Sequence, residues 1–200
     1  MTPLEAKTYS AFKDALAGSG CVKCPLSQSR THIVVDRGDP EAKVVIIGEA
    51  PGENEDREGK AFVGRAGRLL DAMMKEVGFD TDRQSLIINI VKCRPPENRR
   101  PMAEEAEACS PFLKKQLDLV RPQAILLLGA TALRHMIHGK KEFSMGKEAG
   151  NFFTRPEYPG VQFMVLYHPA YILRDPRKRP LMEGHLRRFK AWWDEKHQGT

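Results

Sequence analysis

The stretch from Val44 to Leu70 reads VVIIGEAPGENEDREGKAFVGRAGRLL and joins three kinds of pattern in one segment. The β-branched run over 44–48 is typical of a strand buried on both faces. A glycine-rich acidic segment follows, and residues 65–77 then place apolar side chains at helical spacing before Gly78. This order of strand, loop and helix predicts an α/β fold whose ligand loop follows the carboxyl end of the strand.

Three further apolar runs repeat the strand pattern, at 85–91, 124–129 and 162–168. Helical patterns occur between or after them, at 102–120, at 131–138 with Gly139 as a stop, and at 180–197. Alternating strands and helices indicate an α/β class, specifically a three-layer α/β/α sandwich with a four-stranded parallel central sheet. We expect residues 1–200 to form a single domain, in which 140–160 is an irregular hairpin or loop.

Composition and charge limit the classes of function. The chain has 200 residues, 41% of them hydrophobic, and a formal net charge of +6 with a pI near 9.2. No apolar run approaches the roughly 20 residues that span a membrane, and the N-terminus lacks a signal-peptide pattern, so we expect a cytoplasmic protein with no membrane partner. Basic residues cluster in 174–190, which favours a nucleic-acid partner.

Polar side chains occur where three of the four predicted strands end. Glu49 follows the first strand, Asn89 lies near the end of the second, and His168 closes the fourth. Because ligands bind beyond the carboxyl ends of parallel strands, one pocket is expected to collect these three side chains. The remaining strand ends in a plain turn to a helix, with Thr131 as a candidate cap.

Four cysteines, Cys21, Cys24, Cys93 and Cys109, form a candidate metal site. Disulfides are disfavoured in a cytosolic chain, and a thioredoxin-like CxxC would follow a strand rather than precede the first one. Zinc and a [4Fe–4S] cluster both use four thiolates. The wide separation of the second pair favours the cluster and leaves zinc open.

Three ordered motifs resemble the family 4 uracil-DNA glycosylases, the iron–sulfur members of the uracil glycosylase superfamily. They are GEAPGENEDREGKAFVGRAGRLL at 48–70, INIVKCRPPENR at 88–99 and HPAYILRDP at 168–176. The resemblance covers nearly the whole chain. It implies a structural [4Fe–4S] cluster on the four cysteines and a four-stranded parallel sheet. It also implies a monofunctional enzyme that hydrolyses the N-glycosidic bond of uracil flipped out of DNA and leaves an abasic site.

The resemblance also assigns roles to individual residues. Glu49 would orient water or stabilise the sugar cation, and His168 would face O2 of the base. Phe62 would stack on the base, Asn89 would read its amide edge, and Glu55 would hinder the methyl group of thymine. The backbone at Gly48 and Ala50 would line the base. One departure is Lys60-Ala61, where the family usually has a proline before the aromatic residue.

Contacts with DNA are expected after His168. Ile172 and Leu173 would wedge into the gap left by the base, next to Arg174, while Arg177 and Arg179 would grip phosphates. The partner is then uracil-containing DNA, single- or double-stranded, and we expect a monomer. Two other functions stay open: a superfamily member that accepts hypoxanthine or xanthine, and a non-catalytic protein that binds uracil-DNA or single strands.

Overall fold

The four apolar runs form strands that are almost entirely buried. The computed structural model describes residues 1–137 and 143–197. Within them one sheet contains six strands in the order β1-β3-β2-β4-β6-β5. The strands are β1 (Arg37–Gly38), β2 (Val44–Gly48), β3 (Ser85–Asn89), β4 (Ala124–Leu128), β5 (Phe152–Thr154) and β6 (Gln162–Leu166).

The inner strands β2, β3, β4 and β6 pair in parallel, and their first residues are aligned with one another. Val44 of β2 pairs with Ser85 of β3 and with Ala124 of β4, which in turn pairs with Gln162 of β6. The carboxyl ends of these strands therefore lie along one edge of the sheet. The edge strands β1 and β5 pair antiparallel with their neighbours. The α/β class is confirmed, but the sheet is six-stranded and mixed rather than purely parallel, because strands of two and three residues leave no readable alternation in the sequence.

Nine α-helices lie in the described part of the chain. They are α1 (Tyr9–Ala17), α2 (Glu53–Glu58), α3 (Arg65–Glu76), α4 (Thr81–Gln84), α5 (Ala103–Val120), α6 (Gly129–Met136), α7 (Met145–Glu148), α8 (Pro169–Arg174) and α9 (Arg179–His197). No helix in these two described ranges is long and apolar enough to cross a membrane.

Side chains alternate between two hydrophobic cores, one on each face of the sheet. On β2, Val45 and Ile47 face a core shared with α1, α5 and α6. Val44 and Ile46 face a second core shared with α3, α8 and α9. Helices therefore cover both faces, which explains why the strands read as continuous apolar runs.

Two of the segments predicted from the sequence, 131–138 and 140–160, have a different structure from the expectation. Helix α6 begins at Gly129, directly after β4, because a glycine with φ of 85° allows an immediate turn. The predicted stop at Gly139 lies outside the described residues. Of the predicted loop at 140–160, residues 140–142 also lie outside them, and the remainder contains α7 and β5.

Candidate functional site

A cavity of about 830 Å³ opens at the carboxyl edge of the sheet. Its wall comes from the loop after β2, the start of α6, the segment that joins β6 to α8, and the loop that contains Asn98. This is the position at which open α/β sheets bind ligands. Predicted site residues in its wall are Glu49, Ala50, Glu55, Phe62, His168, Leu173 and Arg174.

Glu49 is half-buried at the end of β2 and is anchored by a residue that the sequence did not assign. Its Oε2 accepts a hydrogen bond from the hydroxyl of Thr131, on the first turn of α6. The predicted cap role of Thr131 is wrong, since Leu128 occupies the N-cap position of α6. Strands β2 and β4 are adjacent in the sheet, which brings the side chains of Glu49 and Thr131 together. This contact could have been predicted only from the strand order.

His168 presents a neutral imidazole to the cavity. It occupies the N-cap of α8, where its Nδ1 accepts from the backbone N–H of Ala170 at 3.1 Å. Burial, and to a smaller extent the charge of Arg174, lower the pKa of His168 to about 4. The proton of the neutral ring therefore resides on Nε2, which is free to donate to a ligand.

Phe62 lies on the cavity wall in an unusual backbone conformation. Its φ is 54°, in the left-handed region that bulky residues rarely adopt. The ring packs directly on Gly48, where an added Cβ would lie 2.4 Å from Cζ of Phe62. Its ring centroid is 5.8 Å from that of His168. Ala61, at the departure from the family pattern, donates its N–H to the carbonyl of Asp36, a bond that proline lacks.

Asn89 is close to this group but is not part of the cavity wall. Its side chain is 1% exposed, and neither of its amide atoms has a hydrogen-bond partner among the described residues. The Oδ1 atom lies 2.5 Å from the point where a Cβ on Gly48 would stand, and the Phe62 ring approaches the same point. A buried amide without partners is costly, so both amide atoms of Asn89 have free hydrogen-bonding capacity within the described part of the chain.

Glu55 belongs to the loop framework as well as to the cavity wall. Its two carboxylate oxygens accept the backbone N–H groups of Gly52 at 3.1 Å and Gly64 at 2.6 Å. The carboxylate thus fixes the start of α2 relative to the start of α3. A role at the edge of the base stays a prediction.

The residues after His168 are placed differently from the expectation. Ile172 is 2% exposed in the core beneath α8 and does not line the cavity, so its insertion into DNA stays a prediction. Leu173, 37% exposed, lies in the cavity wall beside Arg174. Arg179 is held by Glu76 and Glu183, both at 2.7 Å, and Arg177 pairs with Asp175 at 2.7 Å.

Other basic residues line the cavity instead. Sequence reasoning missed Arg65 and Arg100, which join two members of the basic segment 174–190, Arg174 and Lys178, in its wall. They come from three distant parts of the chain, and Lys178 is the last residue of a short 3₁₀ helix at Pro176–Lys178. No local motif indicated that they share one surface, and only their charge could have suggested it.

All four cysteines line a second, small cavity. Burial raises the pKa of Cys93 to about 11 and also raises that of Cys109, and nearby thiols contribute to both shifts. Across residues 1–137 and 143–197, no three His, Cys, Asp or Glu side chains form a group that could hold a metal ion. The structure thus brings the four predicted ligands to one cavity without grouping them tightly.

Two cations accompany these thiols. Arg30 donates from Nη1 to Sγ of Cys93 at 3.4 Å. Lys92 is 1% exposed, and burial lowers its pKa to about 8 although the nearby Cys109, Asp36 and Cys93 oppose this shift. Its Nζ donates to the backbone carbonyl of Asn89 at 2.7 Å. Lys92 therefore connects the cysteine cavity to the strand end that carries Asn89.

Comparison with known proteins identifies the family. The profile of the Uracil DNA glycosylase superfamily matches residues 35–195. The chain is 41% identical over 175 residues to a type-4 uracil-DNA glycosylase of Sulfurisphaera tokodaii, covering 85% of this chain and 79% of that protein. It is 43% identical over 155 residues to the type-4 enzyme of Thermotoga maritima, covering 78% and 79%. For the type-4 enzyme of Saccharolobus solfataricus the identity is 41% over 174 residues, covering 85% and 80%. The chain therefore belongs to the uracil DNA glycosylase superfamily, and within it to the type-4 uracil-DNA glycosylases.

Proposed function

We propose that the protein removes uracil from DNA by hydrolysing the N-glycosidic bond, and that it leaves an abasic site. The observation that carries this proposal is the pairing, in one cavity wall, of a carboxylate anchored by Thr131 with an imidazole held neutral. Loss of uracil develops positive charge on the sugar and negative charge on the base, and these two groups meet the two charges. The type-4 relatives are named uracil-DNA glycosylases.

Glu49 acts on the sugar side of the bond. As the bond between C1′ and N1 breaks, N1 keeps the bonding pair and the sugar becomes cationic. The carboxylate stabilises this cation and accepts a proton from the water whose oxygen bonds to C1′. Thr131 keeps the carboxylate in place during the reaction.

His168 acts on the base side. Its Nε2–H donates to O2 of the departing uracil anion, whose charge is thereby stabilised. A neutral donor suits this task because its proton is not lost to solvent at neutral pH, and Nδ1 is already engaged by Ala170.

Base selection falls to Asn89, Phe62 and Glu55. An amide offers one donor and one acceptor, which match the uracil edge and oppose that of cytosine. The Phe62 ring, which packs on Gly48 beside Oδ1 of Asn89, stacks on the base. Glu55, fixed by two backbone N–H groups, stands against the methyl group of thymine.

Excision is tested with oligonucleotides that contain uracil, hypoxanthine or thymine, followed by alkaline cleavage of abasic products. We expect strand breaks with uracil and a loss of at least about 100-fold in Glu49→Gln and in His168→Ala. Glu104→Gln, on the exposed start of α5, is the matched carboxylate control and should retain full activity.

Three results would contradict the proposal. An intact uracil strand would exclude the activity and favour a binding protein. Equal cleavage of hypoxanthine DNA would replace strict uracil selection by a broader preference. Full activity in both variants would remove Glu49 and His168 from the mechanism.

The proposed cofactor is a [4Fe–4S] cluster on Cys21, Cys24, Cys93 and Cys109. All four line one cavity, and Arg30 and buried Lys92 supply the positive charge that four thiolates require. The four thiols surround one small cavity, and the wide separation of Cys93 and Cys109 in the sequence favours the cluster over zinc. When bound, the cluster supplies structural cross-links between the N-terminal segment, the chain just after β3, and α5.

The cluster is tested by spectroscopy and metal analysis of protein purified without oxygen. We expect a visible absorption band that bleaches with dithionite, together with iron and sulfide, and loss of all three in Cys109→Ser. Ser110→Ala, at the adjacent position of α5, should leave them unchanged. Colourless protein loaded with zinc would overturn the assignment.

DNA phosphates are proposed to contact Arg65, Arg100, Arg174 and Lys178 around the cavity, with Leu173 at the gap left by the base. Each replacement by Gln should reduce the slope of log affinity against log salt by about one. Arg179→Gln is a matched control from the same basic segment and should leave the slope unchanged, because Glu76 and Glu183 already hold that guanidinium. A reduced slope in Arg179→Gln would restore the expectation drawn from the sequence.

A further inference from the structure

The backbone at Phe62 needs external support. A φ of 54° in a residue with a bulky side chain is unfavourable and persists only where surrounding contacts fix it. Gly67 makes room for this conformation, because a Cβ at position 67 would lie 1.7 Å from the Phe62 carbonyl oxygen. The carbonyl is therefore pressed against α3, and its position sets where the aromatic ring enters the cavity wall.

Arg37 supplies that support from strand β1. Its Nη1 donates to the carbonyl oxygen of Phe62. Its Nη2 donates to Asp71 of α3 and, at 3.2 Å, to the hydroxyl of Thr81, while its Nε donates to Asp82 of α4 at 2.8 Å. The Arg37 side chain is only 11% exposed. One guanidinium thus joins β1, α3 and α4 to the turn that carries Phe62.

We propose that Arg37 is a positioning residue for base recognition, which holds the Phe62 ring in the wall of the cavity by fixing its carbonyl group. The planar fork of arginine suits this task because it can serve four separate acceptors at fixed angles. The two carboxylates hold the guanidinium in turn, and Thr81 also donates to Asp71 at 2.7 Å. Arg37 does not line the cavity, so its effect on excision passes through the ring.

The role of Arg37 rests on the proposed excision of uracil and is tested by a double-mutant cycle. The four proteins are wild type, Arg37→Gln, Phe62→Ala and the double variant, compared by kcat/KM on a uracil-containing strand. Loss of a stacked base should lower kcat/KM about 5- to 150-fold in Phe62→Ala. Arg37→Gln should lower it at least about fivefold when Phe62 is present, and less than about twofold in the Phe62→Ala background, because the two effects share one cause.

Two further variants separate positioning from general stability. Arg155→Gln is the matched control, since Arg155 is similarly buried (10% exposed), pairs with Glu157 at 2.6 Å and donates to the Met136 carbonyl away from the cavity. It should keep wild-type kcat/KM even where its melting temperature falls. Asp82→Asn removes one exposed anchor of Arg37 and should lower kcat/KM by less than Arg37→Gln does. This loss should also disappear in the Phe62→Ala background. If Arg37→Gln does not fold, Asp82→Asn takes its place in the cycle.

The outcomes distinguish the two proposals. Losses that multiply in the double variant, with Arg155→Gln also impaired, would assign Arg37 a general structural role and overturn the inference. Full activity of folded Arg37→Gln would overturn it as well. Absence of excision by the wild type would instead refute the proposed function itself.

Discussion

The hydrogen bond from Thr131 to Glu49 leads to a test of how the proposed catalytic carboxylate is held. Thr131→Val exchanges the hydroxyl for a methyl group of nearly the same shape. Both side chains are half-buried, and the donor comes from the first turn of α6. The variant should therefore remove the anchor of Glu49 while it preserves the packing around the helix.

The size of the effect follows from the charge and the burial of the pair. A hydrogen bond to a charged group contributes about 1.5–3 kcal/mol net. Because water can partly replace the hydroxyl at a half-buried carboxylate, the lower part of that range, about 1.5–2 kcal/mol, applies. At about 1.36 kcal/mol per factor of ten, kcat should fall about 10- to 30-fold.

The assay is single-turnover excision of uracil from an oligonucleotide, with enzyme in excess. If Glu49 acts mainly in the transition state, kcat and kcat/KM should fall together. Thr131→Ser keeps the hydroxyl and should remain within about threefold of wild type, and in a Glu49→Gln background Thr131→Val should add little. Activity of Thr131→Val equal to that of wild type, or an undiminished loss in the Glu49→Gln background, would refute the anchoring role.

Three other predictions follow from particular contacts. Gly67→Ala should destabilise the protein by more than about 2 kcal/mol, because the new Cβ would meet the Phe62 carbonyl. Gly184→Ala, in α9 with nothing within 4 Å of the added Cβ, should stabilise the protein by about 0.5–1 kcal/mol. Urea unfolding measures both changes in unfolding free energy, and equal effects of the two substitutions would contradict the packing argument. Because the pKa of His168 is lowered from 6.5 to about 4 in the folded protein, the unfolded chain binds more protons than the folded chain between pH 4 and pH 6.5. The stability that His168 contributes is therefore complete above pH 6.5 and is lost as the pH falls towards 4. His168→Gln should therefore show a shallower decline of unfolding free energy over this same pH range, and an unchanged decline would show that the ring is not buried as a neutral group. Lys92→Met should lower the iron content per chain, since the thiolates would lose a buried cation, and full iron occupancy in this variant would count against that role.

Sequence patterns predicted the inner strands and the long helices well. The strands β2, β3, β4 and β6 fall within the four apolar runs, and α3, α5 and α9 fall within a residue or two of the predicted helical patterns. These elements were predictable because burial on both faces, or on one helical face, leaves a periodic trace in the chain. The edge strands and the helices of four to six residues were not predicted, since so few residues carry no period.

The candidate site was likewise predicted from the sequence only in part. The sequence by itself determined that Glu49 and His168 follow strand ends, and parallel register then brought them to one cavity, as the level pairing of β2, β4 and β6 shows. Whether a neighbouring side chain faces the cavity or the core depends on the angle at which a short helix packs. This angle buried Ile172 and left Leu173 at the cavity.

Only the tertiary structure decided which residues support the proposed site residues. Thr131 reaches Glu49 across 82 residues of sequence, Arg37 reaches Phe62 across 25, and Arg179 is held by Glu76 across 103. Local patterns record burial and turn chemistry along the chain. Hydrogen bonds and ion pairs between distant segments depend on strand order and helix packing, which no single segment encodes.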